Sequence, residues 1–226
     1  KKEFASRRAK VTKALNGSAG IVFAGSADVS LETSWRPQAH FEYLTGLINE
    51  RHAMLLFDPT NPVAARREVL FLSPRDPEKE QWDGLRKPLG SELRTELGIS
   101  TILRSGSLAF VLADVASRCK TFATLMPTST VNQEVSEDLA LFQKLSTRTP
   151  DCEILDMSSV IPILRSVKSS TEIKTIQEAI DMTAVGFKNA MAFVQGGVNE
   201  YKVQATLEHG YAMAGGRGSA FPPIVG

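Results

Sequence analysis

Short apolar runs alternate with stretches of helical periodicity along the first two thirds of the chain. The runs are rich in Val, Ile, Leu and Phe and are bounded by turn-forming residues, which is typical of buried strands. Strands separated by helices in this way predict an α/β domain. We expect strands over 20–25, 53–57, 68–72, 101–103 and 121–125, and helices over 3–16, 90–97, 107–119 and 132–145.

Two further segments of this region are predicted to be extended. Phe41, Tyr43 and Thr45 recur with a period of two, which would place them on one face of an extended segment. A second extended stretch is expected over 154–164, after a polar linker at 147–151 that contains a proline. The end of the first domain is therefore expected in this part of the chain.

The last part of the chain has the pattern of two amphipathic helices. A long helix is predicted over 170–194, and Ser169 with Glu172 three residues later fits a capping box at its start. Each apolar helix face needs a partner layer, and too few residues follow the second helix to form a sheet. We therefore expect a complete first domain over 1–157 and the beginning of a second domain over 158–226.

Charge and composition narrow the class of protein. The formal net charge of +1 gives no bias toward nucleic acid or an anionic membrane. No apolar stretch approaches the roughly 20 residues of a membrane span, and the first residues do not resemble a signal peptide. Cys119 and Cys152 lack a Cys-x-x-Cys spacing and are interpreted as reduced thiols. These features predict a soluble cytoplasmic protein that binds neither nucleic acid nor membrane.

The residues themselves contain no recognisable catalytic set. The three histidines, His40, His52 and His209, are scattered, and neither His-Glu-x-x-His nor a Cys/His zinc spacing occurs. A Gly-x-Ser-x-Gly elbow, a P-loop and a complete Gly-x-Gly-x-x-Gly are also missing from the sequence. We interpret His40 and His52 as surface or strand-end residues.

Three aromatic residues are candidates for substrate binding. Trp82 lies in a charged segment between turn signals, so its indole either covers the edge of its own domain or anchors a subunit contact or ligand. Tyr211 and Phe221 bracket a Gly-rich turn at 215–218. They either pack in a core or line a cleft of the second domain.

Five segments, kept in order, resemble landmarks of the Xaa-Pro aminopeptidase and prolidase family, the creatinase-like metallopeptidases. The first reads Arg-Pro-Gln-Ala-His-Phe-Glu-Tyr-Leu-Thr-Gly and is similar to the family's Arg-x-x-x-x-Phe-x-Tyr-Leu-Thr-Gly signature, and the second is similar to its Trp-x-Gly-x-Arg segment. Ser170 stands where the family usually has a proline, and 87–88 looks like an insertion. The five segments lie at 36–46, 82–86, 165–173, 197–200 and 221–226.

The resemblance implies an N-terminal creatinase-like domain with a mixed β-sheet flanked by helices, followed by the first helices of a pita-bread α+β domain. In the family, two divalent metal ions, here expected to be manganese, are held by two Asp, one His and two Glu downstream of the fifth landmark. A metal-bound hydroxide then attacks the bond before proline. The resemblance therefore implies no catalytic or metal-binding residue in these 226 residues, which alone should be inactive and bind no metal.

The resemblance also implies the partners. Peptides with proline at the second position would be the substrates, and the protein would form a homo-oligomer through its N-terminal domain. Trp82 would then reach a neighbouring subunit's active site, and Tyr211 and Phe221 would line the substrate pocket.

Two alternatives remain beside an Xaa-Pro aminopeptidase. One is a prolidase that acts on Xaa-Pro dipeptides, and pocket depth would separate the two. The other is a non-catalytic protein that keeps the N-terminal domain for binding or oligomerisation. The near-neutral charge and the retained Trp82 favour the peptidase.

Overall fold

The structure, a computed structural model, describes residues 1–25, 35–221 and 223–225. Pro222 and Gly226, which belong to the last family landmark, lie outside the described residues. The chain divides into two compact units, Lys1–Arg165 and Ser166–Gly226. The domain boundary expected between residues 157 and 158 stays a prediction.

The first unit alternates helices and strands, as the sequence pattern predicts. The helices and strands found at the predicted places confirm the α/β class. In chain order the elements are α1 (Lys2–Ala14), β1 (Ala19–Phe23), α2 (Ala39–Thr45), β2 (Met54–Phe57), β3 (Glu68–Leu72), α3 (Pro77–Asp83), α4 (Ser91–Leu97), β4 (Thr101–Arg104), α5 (Leu108–Arg118), β5 (Thr121–Thr124), α6 (Glu137–Ser146), β6 (Glu153–Asp156) and α7 (Val160–Ser166).

The six strands form one mixed sheet in the order β4-β3-β2-β1-β5-β6. Strand β2 pairs antiparallel with β1 and with β3, whereas the β3–β4, β1–β5 and β5–β6 pairs are parallel. All strands except β2 therefore run in the same direction. This confirms the mixed sheet that the family resemblance implies.

Both faces of the sheet are covered. Leu55 and Phe57 of β2 belong to one core cluster, and Met54 and Leu56 belong to the other. Because successive strand residues point to opposite faces, this alternation places one cluster on each side of the sheet. Helices α1, α2, α4 and α7 contribute to the first cluster, and α5 and α6 contribute to the second.

The prediction of an extended segment at 41–45 was wrong, because these residues lie in helix α2. Phe41 and Thr45 are buried together with Leu44, so the buried positions are three and four residues apart rather than two. Tyr43, which the period of two would have buried, is only half-buried. The segment is too short for periodicity alone to separate helix from strand.

The extended stretch predicted at 154–164 is only partly correct. Strand β6 ends at Asp156, and helix α7 follows with Pro162 in its first turn. Proline is tolerated there because the first helical N–H groups have no intrahelical partner. The proline therefore does not exclude a helix, and Ile161 beside it is fully buried.

The second unit consists of α8 (Ser170–Phe193) and α9 (Glu200–Met213), followed by the Gly-rich turn. The predicted capping box is present: the Ser169 hydroxyl accepts from the Glu172 N–H at 3.2 Å, and the Glu172 carboxylate accepts from the Ser169 N–H at 2.9 Å. The Asn199 side chain caps α9 by accepting from the Tyr201 N–H. No helix in the described ranges combines the length and apolar character that spanning a membrane requires.

Candidate functional site

The signature segment at 36–46 builds helix α2 and both of its ends. The Gln38 side-chain oxygen accepts from the N–H groups of His40 (2.6 Å) and Phe41 (3.3 Å), which satisfies two donors at the helix start. At the other end, the Thr45 hydroxyl donates to the Phe41 carbonyl at 2.8 Å. Gln38 and Thr45 of the signature therefore stabilise the helix to which they belong.

Helix α2 is also fixed against its neighbours. Gly46 ends it in the left-handed conformation with φ of 72°, and a Cβ there would lie 2.5 Å from the Phe4 ring. The Arg7 guanidinium lies 4.1 Å from the centre of the Tyr43 ring and donates to the Tyr43 carbonyl at 3.0 Å. The Tyr43 hydroxyl donates to the Leu164 carbonyl of α7 at 3.2 Å.

Arg8 of α1 is a fully buried cation with three partners. Its Nε lies 2.7 Å from the Glu68 carboxylate, and its terminal nitrogens donate to the carbonyls of Leu44 (3.1 Å) and Gly98 (2.7 Å). A buried charge of this kind is tolerated only when it is paired and hydrogen-bonded. Arg8 thereby joins α1 to α2, β3 and the end of α4.

His40 is buried rather than at the surface or at a strand end, so that interpretation was wrong. Its side chain lies in α2 with its Nδ1 3.3 Å from an Arg165 guanidinium nitrogen, and its Nε2 has no hydrogen-bond partner in the described structure. Burial and the Arg165 charge lower the His40 pKa to about 4, against an opposing effect of the Asp138 carboxylate. His40 is therefore neutral at neutral pH.

Trp82 projects from the short helix α3, and 86% of it is exposed. The helix is fixed from its other side, where Glu80 is buried and pairs with Arg75 at 2.9 Å. Gly84 then turns the chain with φ of 88°, and Leu85 is 83% exposed. The region thus presents two large apolar side chains to solvent on a fixed support, and the role of Trp82 in substrate binding stays a prediction.

A groove of about 690 Å3 with a mixed polar and apolar lining lies beside this helix, with Glu50, Arg86 and Lys87 among its lining residues. Arg86 lies 3.5 Å from the Glu50 carboxylate, and Lys87 lies 2.7 Å from Glu96. Burial raises the pKa of Glu50, and the Arg86 charge opposes that shift. Arg86 and Lys87 are thus each paired with a carboxylate, and we interpret these ion pairs as support for the loop after Trp82. The apparent insertion at 87–88 is part of this paired arrangement.

Helices α8 and α9 cross at two glycines. A Cβ at Gly210 would lie 2.6 Å from the Gly186 Cα. A Cβ at Gly186 would meet the Tyr211 ring. Only glycine permits this close approach, so the crossing fixes the Tyr211 side chain against α8.

The structure brings Tyr211 and Phe221 together in one groove of the second unit. The groove has a volume of about 630 Å3 and is also lined by Met182, Phe187 and Leu207. It is mostly apolar, and Phe221 itself is 72% exposed. Their role in substrate binding stays a prediction.

The described residues contain no cluster of candidate metal ligands. Within residues 1–25, 35–221 and 223–225, no three His, Cys, Asp or Glu side chains converge in a way that could hold a metal ion. The described residues therefore offer no metal site, and no catalytic step follows from them. Sequence reasoning missed the half-buried Glu50, whose partner Arg86 is 36 residues away and leaves no local signal.

The mixed sheet with helices on both faces defines the first unit as an α/β domain, and the second unit contributes two crossed helices. The family described as "Aminopeptidase P, N-terminal domain" matches residues 4–124. The chain belongs to this family.

The named relatives agree with the family. The chain is 28% identical over 215 residues to the Xaa-Pro aminopeptidase of Haemophilus influenzae. This alignment covers 92% of this chain and 47% of the relative. It is 26% identical over 234 residues to the Xaa-Pro aminopeptidase of Escherichia coli K12. This alignment covers 100% of this chain and 52% of the relative. The chain thus spans about half the length of these curated relatives.

Solved structures resemble the fold over nearly the whole chain. A putative aminopeptidase P from Bacillus anthracis superposes with a TM-score of 0.84 at 24% identity, covering 95% of this chain and 52% of that one. The proline aminopeptidase P II from Yersinia pestis superposes with a TM-score of 0.73 at 26% identity, covering 95% and 50%. At 24% identity the first likeness shows the fold alone.

Proposed function

We propose that the chain is part of an Xaa-Pro aminopeptidase, a hydrolase that removes the N-terminal residue before a proline. One observation carries the proposal: relatives with this name align along 92–100% of the chain, in addition to the family match over residues 4–124. The substrates would be peptides with proline at the second position. The protein would be a cytoplasmic homo-oligomer.

In this proposal, the chain supplies substrate contacts rather than catalytic groups. Tyr211 and Phe221 would line the substrate pocket, which is supported by their common apolar groove. Trp82 would contact substrate at a neighbouring subunit's active site, which is supported by the exposure of its ring on a fixed helix. An exposed indole can bury a large apolar area at a contact with little loss of side-chain entropy.

The chemistry would come from two divalent metal ions, with manganese as the expected metal. Such ions lower the pKa of bound water and stabilise charge on the attacked carbonyl. Because the described residues do not assemble a metal site, we expect residues 1–226 alone neither to bind a catalytic metal nor to hydrolyse peptides.

The test compares the protein that contains this chain with residues 1–226 alone. Each is assayed on an Xaa-Pro-Xaa tripeptide, an Xaa-Pro dipeptide and an Xaa-Ala-Xaa control, before and after chelation and manganese addition. We expect metal-dependent cleavage of the Xaa-Pro-Xaa tripeptide by the longer protein only. Preference for the dipeptide would indicate a prolidase, and a metal-free protein without turnover would indicate a binding or oligomerisation protein. Peptide hydrolysis together with bound metal in residues 1–226 alone would refute the proposal that this part of the protein supplies no catalytic groups.

The role of Trp82 is tested in the longer protein with Trp82→Ala. We expect a loss of about thirtyfold in kcat/KM on longer peptides, because an anchoring indole contributes on the order of 2 kcal/mol. Metal content and thermal stability should stay unchanged, since the ring is 86% exposed. Leu85→Ala is the matched control, because Leu85 is equally exposed and three residues away. Equal activity losses in both variants would contradict a specific role of the indole.

A further inference from the structure

An apolar groove of about 590 Å3 runs between α5 and α6 of the first unit. Leu108, Leu112 and Ala116 recur every four residues along α5, and Leu141 and Leu145 recur along α6, so each helix contributes a stripe to the groove. From Leu108 to Ala116 the stripe on α5 is about 12 Å long, at 1.5 Å per residue. The volume falls within the roughly 300–1,000 Å3 of small-molecule sites.

The cations that line this groove are Lys120, Lys144 and Arg148. Lys120 follows the last turn of α5, Lys144 lies in the last turn of α6, and Arg148 follows it. Helix α5 connects β4 to β5, helix α6 connects β5 to β6, and these three strands run in the same direction. Both helices therefore run back against the strands, and their C-terminal ends lie at the same edge of the sheet. All three cations thus lie near the C-terminal ends of the two helices, at one edge of the sheet.

No described carboxylate lies within ion-pair distance of the cations in this cluster. Lys120 donates to the Ala116 carbonyl at 3.1 Å, and Arg148 donates to the Lys144 carbonyl at 2.6 Å. These carbonyls attract cations at helix ends but carry no net charge. In the part of the chain that the structure describes, none of the three cations forms an ion pair, and no Asp or Glu lines the groove. Ammonium and guanidinium groups each retain further donors for an anion.

We propose that the α5–α6 groove binds a single-chain amphiphile with an anionic head, chemically a long-chain carboxylate. The alkyl chain lies along the α5 and α6 stripes, over the buried Leu112 and Ala116. The carboxylate lies among Lys120, Lys144 and Arg148. An acidic amphipathic peptide helix fits less well, because its charges would need cations along the length of the groove rather than at one end. This site is separate from the proposed peptidase function and does not depend on it.

The test is calorimetric titration of the protein that contains this chain with sodium dodecanoate, kept below the micelle concentration. Dodecanol serves as the uncharged ligand with the same alkyl chain. We expect saturable binding of one dodecanoate, weakened about tenfold in a Lys120→Gln, Lys144→Gln, Arg148→Gln triple variant, because charge-assisted contacts to the head group are lost. The affinity for dodecanol should be the same in both proteins.

Two further sets of variants make the result specific. The matched control replaces three exposed lysines of α1, Lys2, Lys10 and Lys13, by Gln, which removes equal charge at another place and should leave dodecanoate binding unchanged. Ala113→Trp fills the groove and should abolish binding of both ligands, with Ala109→Trp as the replacement if the first variant does not fold.

Failure of dodecanoate to bind, or equal binding by the triple variant and the wild type, would overturn the proposal. Unaltered binding in a folded groove-filling variant would overturn the location. Saturable binding of an acidic amphipathic helical peptide, without any binding of dodecanoate, would overturn the ligand class.

Discussion

Acidification should destabilise the first unit through His40. This histidine is 5% exposed, its Nε2 lacks a hydrogen-bond partner in the described structure, and the Arg165 guanidinium lies beside its Nδ1. A proton on this ring would place a second positive charge next to Arg165 in a dry environment. The facing carboxylate of Asp138 offsets only part of that cost, and the pKa of His40 is lowered from 6.5 to about 4.

The magnitude and the sign follow from this pKa difference. The unfolded chain takes up the proton near pH 6.5 and the folded chain only near pH 4, so the unfolded state binds more protons between these values. The contribution of neutral His40 to the free energy of unfolding is therefore complete above about pH 6.5. It is lost progressively as the pH decreases below that value. The loss reaches about 2 kcal/mol at pH 5 and approaches about 3 kcal/mol near pH 4.

Urea unfolding at pH 7.5 and pH 5.0 measures this effect in the wild type and in His40→Gln. Both tryptophans of the chain, Trp35 and Trp82, belong to the first unit, so their fluorescence reports its unfolding. His40→Gln should lose about 2 kcal/mol less than the wild type between the two pH values, because all other titrating groups are shared. His209→Gln is the control for removing one imidazole from an exposed helix position. The same pH dependence in wild type and His40→Gln would refute the reasoning.

Two packing predictions concern α1 and the α8–α9 crossing. Arg8→Met should lower the free energy of unfolding by about 3 kcal/mol, because it leaves a carboxylate and two carbonyls without their donor. Urea unfolding measures this loss. Lys10→Met, on the exposed side of α1, is the control and should change the free energy of unfolding little. Equal effects would contradict the buried network. Gly186→Ala should cost about 1–3 kcal/mol and raise hydrogen exchange in α9, because its Cβ meets the Tyr211 ring. Gly196→Ala, with open space around it, is the control, and unchanged exchange in Gly186→Ala would refute the close crossing.

Long and periodic elements of the fold could be predicted from the sequence, whereas the short helix α2 could not. Strand β3 was predicted with the bounds it has, since a continuous apolar run with both faces buried leaves little choice of conformation. Helix α2 has only seven residues, and its start depends on the Gln38 side chain rather than on a more common capping residue. Its end at Gly46 was visible in the sequence, but the same glycine also fits a strand end.

Burial of polar residues was the second feature that local patterns could not predict. Arg8 belongs to a charged stretch of α1 that looks like a solvated helix face, yet it is fully buried. Its partners Leu44, Glu68 and Gly98 lie 36, 60 and 90 residues away. A buried cation depends on all of these groups at once, so the sequence of α1 alone carries no sign of it.

The candidate sites divide along the same line. Trp82 could be singled out because its neighbours in sequence are polar. The polar composition of helix α3 also indicates that the helix is exposed. Tyr211 and Phe221 could be linked because they lie ten residues apart on either side of the Gly-rich turn, so their proximity is a local property. The α5–α6 groove has no such local origin. Its three cations lie at the C-terminal ends of two helices that connect different pairs of strands, and only the common direction of β4, β5 and β6 brings these helix ends to one edge. A charge cluster that arises from topology in this way can be found only after the strand order is known.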